Sequence, residues 1–412
     1  MADVDATDVN KIDPWLSSQK FFHGFLSRED LPALLQNDGD FLVRCNEADK
    51  GQPREIIVSV LYDPEGKSKG ADQNGKLELT RNFVVQTALS NKTRKYFFDS
   101  REKFEPIEEL LTYHSETPLV VNQAQVVLKR AIRLAKWEFT PQAVQVGKLL
   151  NTGAFGETRQ GRLTLKDGSM IDVAVKMMKG HSDMCRQQVK EMVREARLMR
   201  GLSHPNIVYF YGVCLQEQPI YILFELIRGG PLDAYLLENK ATVTNDERLQ
   251  IVMGVCWGLE YLHSKGVLHR DIAAKNCLYD TLKNVKISEF GLSRQGTTYS
   301  MRTARKMPIK WMAPESIKSF VFSQKSDAYS FGVLIFEVFA CVEPYAKLTT
   351  NAAKDAILSG TLNQFPEGTP EKLVNYVKST LWEANPEKRD DMFHVKPWLE
   401  AFTGLTLILD HK

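Results

Sequence analysis

The sequence predicts an α+β chain built as two domains, on the strength of two features of its patterning. Between Trp15 and about Leu119, short apolar strands alternate with helical stretches in a compact unit. Trp137 then opens a larger unit that is β-rich at first and helical after about Pro231. With 412 residues, 43% of them hydrophobic and 25% charged, the chain has apolar material for two or three domains. The expected division is a disordered N-terminus over 1–13, a first domain over 14–120, a linker over 121–140 and a second domain over 141–405.

In the smaller unit, Phe41-Leu42-Val43-Arg44, Glu55 to Tyr62 and Leu77 to Gln86 read as strands. Asp63 to Lys76 holds three Gly and one Pro and reads as a loop. Arg28 to Leu35 and Ile107 to Tyr113 read as helices. Val120 to Lys136 carries Lys129, Arg130, Arg133 and Lys136, and reads equally as a solvated tether and as a docking segment. The formal net charge of +2 gives no general pull toward nucleic acid or anionic membrane. The acidic start of the chain argues against a signal peptide, and Ala2 excludes the usual N-myristoylation pattern. Phe331 to Val342, the longest apolar stretch, is interrupted by Glu337 and is too short to span a bilayer. Six scattered cysteines with no C-x-x-C pair read as reduced thiols of a cytoplasmic protein.

The larger unit opens with Leu150-Asn151-Thr152-Gly153-Ala154-Phe155-Gly156-Glu157-Thr158, where a strand should turn back. Glycine lets backbone N–H groups approach phosphate oxygens with no Cβ in the way, and Asn151 tolerates positive φ. Period two along Ile171 to Lys176 puts Ala174 and Lys176 on one face of a strand. In the helix predicted from Cys185 to Gly201, Glu195 falls on the apolar stripe of Val189, Met192, Val193, Ala196 and Met199. A carboxylate facing the core is costly without a cation, and Lys176 is the natural partner.

His269-Arg270-Asp271-Ile272-Ala273-Ala274-Lys275-Asn276 packs three roles into one loop. Asp271 can accept the proton of an attacking hydroxyl, Asn276 can reach a divalent metal, and His269 and Arg270 brace the loop. With Ser288-Glu289-Phe290-Gly291 and Pro308-Ile309-Lys310-Trp311-Met312-Ala313-Pro314-Glu315 downstream, the order resembles a protein tyrosine kinase. That resemblance implies a bilobal kinase fold. It implies ATP with Mg (or Mn), held by Leu150, Asn151, Gly153, Phe155, Gly156, Thr158, Ala174 and Lys176 on one side. Glu225 and Ile227, after the strand Tyr221 to Ile227, would serve the adenine ring, with Leu278 beneath it. Asn276 and Glu289 would hold the metal, although Glu289 stands where kinases carry Asp and is one methylene longer. Asp327 would hold the catalytic-loop backbone, Arg389 would pair with Glu315, and Tyr299 would be the autophosphorylation site facing Arg270.

The smaller unit resembles an SH2 domain, an antiparallel sheet flanked by two helices. Arg44 sits in an otherwise apolar strand, and a phosphotyrosine phosphate is the anion that would answer its charge. Arg28 and Asn46 would share that phosphate, with the 47–52 loop closing over it, while Asn82 replaces the usual His. An SH2 domain followed by a tyrosine kinase is similar to the Fes/Fer group, here without an F-BAR region or a Src-type tyrosine tail. It implies a cytoplasmic non-receptor tyrosine kinase, recruited to tyrosine-phosphorylated proteins and to complexes at the cytoplasmic face of the plasma membrane. The SH2 domain is expected to dock on the kinase N-lobe. The departures at Asn151 and Glu289 leave an SH2–pseudokinase adaptor as the alternative.

Overall fold

The computed structural model describes residues 12–46, 54–90, 93–121, 124–153, 156–178, 186–302 and 307–407. The chain packs as two units, Met1–Arg200 with Phe210–Phe224, and Gly201–Tyr209 with Glu225–Lys412. The expected disorder of 1–13 falls almost wholly outside the described residues, as do the 47–52 loop, Phe155 and Cys185.

In the first unit, β1 (Asp40–Asn46) pairs antiparallel with β2 (Glu55–Leu61), and β2 with β3 (Thr80–Ser90), which pairs with β4 (Thr93–Phe97). A 3-10 turn over Arg28–Asp30 leads into α1 (Leu31–Leu34); α2 (Gln73–Leu79) precedes β3, and α3 (Ile107–Glu116) buries Ile107, Leu110 and Leu111. The strand expected from Leu77 therefore starts at Thr80 instead. Asp72 accepts the N–H of Gly75 at 2.8 Å and caps a helix that runs through the alternating Leu77 and Leu79.

The basic segment after Leu119 is no solvated tether. Its residues Arg130–Ala131 form β5, parallel to β1 at the sheet edge. Arg130 clamps Asp40 with Nε and Nη2 at 2.8 and 2.7 Å, and Lys129 reaches Asp38 at 2.5 Å.

The second sheet of this unit runs β9-β10-β8-β7-β6, from β6 (Val144–Thr152), β7 (Glu157–Thr164), β8 (Met170–Met177), β9 (Phe210–Cys214) and β10 (Tyr221–Glu225). Leu163, Val173, Val175 and Leu223 fill its core. Helix α4 (Arg186–Met199) lies against β9. The two sheets meet at Gly24, where the N–H of Phe25 donates to the Leu215 carbonyl at 2.9 Å. Gly24 has φ +54°, and a Cβ there would stand 1.9 Å from the Leu215 oxygen, so both conformation and closeness demand glycine.

The second unit is helical: α5 (Leu232–Glu238), α6 (Asn245–Ser264), α7 (Gln324–Ala340) and α8 (Met392–Thr403). Ser323 caps α7 in a capping box with Ser326, and buried residues run on all sides from Ser326 to Phe339. A helix apolar all round belongs in the centre, and α6 and α8 pack on it. Among the described residues no helix is long and apolar enough to cross a membrane. The five described cysteines are buried.

Candidate functional site

Strand β8 alternates as its sequence requires. Val173 and Val175 are fully buried while Ala174 and Lys176 are half-buried on the other face. Lys176 Nζ lies 2.7 Å from Glu195 Oε1, and Glu195 is only 7% exposed, so a carboxylate on an apolar helix stripe has its cation. Thr158 stands opposite both Asn151 and Lys176 in the sheet. The turn between β6 and β7 closes with the Gly153 N–H donating to the Gly156 carbonyl at 2.8 Å.

Two expectations for that turn change. Asn151 is not in the positive-φ region; it sits in β6 and its Oδ1 accepts the N–H of Thr152 at 2.7 Å. Gly156 is required by packing, since a Cβ would come within 2.2 Å of the Met177 oxygen. Leu150 is exposed on the same strand.

In the second unit, Asp327 accepts the backbone N–H groups of His269 and Arg270, each at 2.8 Å. His269 Nδ1 accepts the N–H of Asp271 at 3.3 Å and Nε2–H donates to the Ser288 carbonyl at 2.9 Å, which fixes the ring between the two loops. Asn276 spends its amide N–H on the Asp271 carbonyl at 2.7 Å, leaving its side-chain oxygen as a donor atom for a ligand. The Asp271 carboxylate has a buried Oδ1 that accepts no hydrogen bond from the described residues. Burial pushes the Asp271 pKa up, against the pull of Lys275, His269 and Asn276; Glu289 pushes it further up. Arg270 and Glu289 hold φ of +70° and +59°, a costly backbone for such residues.

Arg270 lies with its guanidinium 4.4 Å from the ring centre of Tyr299 and 4.1 Å from that of Phe322. Arg294 faces the same tyrosine at 5.3 Å. Burial, helped by Arg294, lowers the Arg270 pKa to about 10. Arg389 is 1% exposed and pairs bidentately with Glu315 at 2.6 and 3.0 Å. Glu225 uses its carboxylate on the Tyr209 N–H and on Lys286 Nζ, at 2.7 and 2.8 Å, a structural duty the sequence did not announce. Ile227 and Leu278 are half-buried, and Leu278 bridges to Pro231.

Arg44 is 5% exposed on β1 and, among the described residues, meets no carboxylate. Its Nε donates to Ser59 Oγ at 3.0 Å, Nη1 to Asn46 Oδ1 at 3.3 Å and Nη2 to Asn82 Oδ1 at 3.1 Å. Three neutral oxygens orient the fork without cancelling its charge. Burial lowers its pKa, and Arg28, on an exposed turn, lowers it further. Sequence reasoning missed Ser59, which is fully buried and bonded to Asn82 at 2.7 Å; period two along β2 was the available signal. Asn82, which replaces the usual His, accepts from the arginine and helps hold it.

The structure thus gathers Lys176, Glu195 and the glycine turn in one unit, and Asp271, Asn276, Glu289, Arg270 and Tyr299 in the other. The pattern of the protein tyrosine and serine/threonine kinase family matches residues 144–399, and that of the SH2 domain matches 21–114. The chain is 34% identical to "Tyrosine-protein kinase Fer" of Homo sapiens, over 91% of its own length and 43% of that protein's. It is 30% identical to "Fer-related kinase 1" of Caenorhabditis elegans, over 94% of both. To the "Tyrosine-protein kinase transforming protein Fps" of Avian sarcoma virus (strain PRCII) it is 33% identical, over 91% of its own length and 66% of that protein's. The chain therefore spans less than half of the mammalian Fer proteins and nearly all of the nematode one. The chain belongs to the protein kinase family, in the Fer/Fps-related group whose tyrosine kinase domain follows an SH2 domain.

Proposed function

We propose that the chain is a cytoplasmic non-receptor tyrosine kinase that transfers the γ-phosphoryl group of ATP to protein tyrosines. Its SH2 domain binds phosphotyrosine proteins for recruitment and regulation. The observation that carries the enzyme reading is the buried Oδ1 of Asp271, to which no described residue donates, on a loop whose backbone is held by Asp327 and Asn276. An acceptor left without a donor in a buried place is costly, and a substrate phenol supplies the missing O–H.

Asp271 orients that phenol and takes its proton as the tyrosine oxygen attacks the γ-phosphorus and ADP leaves. Lys176, positioned by Glu195, holds the phosphates. Leu150, Asn151, Gly153, Phe155, Gly156, Thr158, Ala174, Glu225, Ile227 and Leu278 surround the nucleotide. The amide oxygen of Asn276 and the carboxylate of Glu289 are hard oxygen donors that would hold Mg or Mn. When bound, the metal would supply positive charge to offset that building on the phosphates. Arg44 holds the phosphotyrosine phosphate, with Arg28 and Asn46 beside it, and Tyr299 is the site of autophosphorylation. The domains run over 14–120 and 141–405.

The test is phosphorylation of a tyrosine-containing polymer by the purified chain with ATP and Mg or Mn, against Asp271→Asn. Turnover that collapses in the variant supports the reading. Absence of turnover with either metal, from protein that still binds a phosphopeptide, overturns it.

A further inference from the structure

Arg270 is 4% exposed, yet among the described residues no carboxylate pairs with its guanidinium. Nη1 donates to the Leu292 carbonyl at 2.9 Å and Nη2 to Met301 Sδ at 3.6 Å, while Nε meets no acceptor among the described residues. Aromatic faces stand where an anion would be expected. The ring centres of Tyr299 and Phe322 lie 4.4 and 4.1 Å from the guanidinium carbon.

The two rings come from strands that pair antiparallel. Thr298–Ser300 runs against Val321–Ser323 with Tyr299 opposite Phe322, and the Met301 N–H donates to the Phe320 carbonyl at 3.0 Å. Phe322 is 2% exposed and packs with Leu268, Met312, Ile317 and Ile357. The short stretch from Phe322 to Asp327 therefore grips Arg270 twice. Asp327 Oδ1 takes its backbone N–H at 2.8 Å, and Phe322 takes its side chain. This double hold keeps Arg270 at φ +70°, directly before Asp271. The Tyr299 hydroxyl makes no bond to Asp271 Oδ1, so the ring covers Arg270 without occupying the proton acceptor.

We propose that the rings of Tyr299 and Phe322 are positioning residues for the catalytic loop, and that they hold the segment around Tyr299 in its working place before any phosphate is added to it. A buried guanidinium that relied on a phosphate for its counter-charge would stand bare in the unmodified chain, a cost that favours disorder. Here two π faces, a thioether and a carbonyl already surround it, and the strand pairing already fixes the chain. A phosphate on Tyr299 would also find Arg294, whose guanidinium lies 5.3 Å from the same ring centre. It would add ion pairs to an ordered segment and would not create the order. This inference rests on the kinase reading given above.

The experiment uses the full chain, stripped of phosphate by a tyrosine phosphatase that is then removed, with a tyrosine-containing polymer, ATP and Mg or Mn. Two variants separate the ring from the phosphate. Neither Tyr299→Phe nor Tyr299→Leu can be phosphorylated at this position, and only the first keeps an aromatic face. Tyr299→Phe is expected to exceed Tyr299→Leu by roughly five- to tenfold in kcat, with similar KM for ATP. Phe322→Leu should lose kcat by a similar factor, and the dephosphorylated parent should turn over without a lag. Should the buried Phe322→Leu fail to fold, the pair at Tyr299 decides, because that side chain is only half-buried. Equal kcat in the two Tyr299 variants, parent-level kcat in a folded Phe322→Leu, or a dephosphorylated parent inert until preincubated with ATP overturns the proposal while leaving the kinase standing. No turnover by any form with either metal, before or after preincubation, overturns the kinase reading and this inference with it.

Discussion

Arg197 grips Asp30 through Nε and Nη2 at 3.0 and 3.1 Å, joining the SH2 domain to the helix that carries Glu195. Two residues on a helix are about 200° apart, so Glu195 faces Lys176 while Arg197 faces away from it. Asp30 is 2% exposed and also receives Ser27 at 2.8 Å and Arg200 at 3.2 Å. Breaking a buried pair costs about 3–5 kcal/mol when nothing replaces the lost partner; with Arg200 still present, about 1–3 kcal/mol is expected. Arg197→Ala should therefore lower kcat several-fold and speed hydrogen exchange in the helix, with ATP affinity little changed. Unchanged kcat together with faster exchange would show that Glu195 is held in place without the SH2 domain.

Phosphopeptide binding should depend on Arg44 most and on its supports less. Arg44→Ala removes the bonds to a dianion, each worth about 1.5–3 kcal/mol, so calorimetric affinity should drop by 100-fold or more. Asn82→Ala and Ser59→Ala leave the charge but release the fork, and roughly tenfold losses are expected. Equal affinity in Arg44→Ala and the parent chain would end the SH2 reading of this pocket.

Local chemistry made the site legible in the sequence, and long-range contact hid the rest. A charge placed on an apolar face has one explanation, and both Glu195 and Arg44 announced themselves that way. Asp271 and Asn276 were legible because one loop carries both. The registers and partners set by distant chain were not. The Leu77–Leu79 alternation satisfied a helix cap as well as a strand, and Arg130 looked solvated until Asp40 was beside it. Nothing local marks Asp30 as an ion-pair centre, because its cations Arg197 and Arg200 lie more than 160 residues away. Glu337 was visible only as a break in an apolar run; its bond from the Ala274 N–H exists because α7 meets the catalytic loop.

Stability between pH 4 and 7 should carry the mark of His204. Burial, then Lys396 and Lys286, push its pKa down to about 4, and Nδ1 accepts the Asn206 N–H at 3.1 Å, which requires the unprotonated nitrogen. The unfolded chain takes up this proton near pH 6.5, the folded chain only near 4. The group's contribution is thus fully present above about 6.5 and is lost as pH falls toward 4; solvent screening at this partly exposed ring reduces it to about 1–2 kcal/mol. The difference in Tm between His204→Gln and the parent chain should shift in the variant's favour on going from pH 7 to pH 4.5. A difference that stays constant over that range would refute the assignment.

Replacing Glu289 tests whether the longer side chain is a handicap. It sits at φ +59°, a region that Asp occupies more readily than Glu, so Glu289→Asp relieves backbone cost while shortening the reach by one methylene. Magnesium tolerates little departure from octahedral geometry at about 2.0–2.1 Å. Glu289→Asp should raise kcat by roughly two- to tenfold with Mg and lower the Mg concentration giving half-maximal rate. A fall in kcat at saturating Mg would mean instead that the surrounding loop has settled around glutamate, with the metal displaced to suit the longer arm.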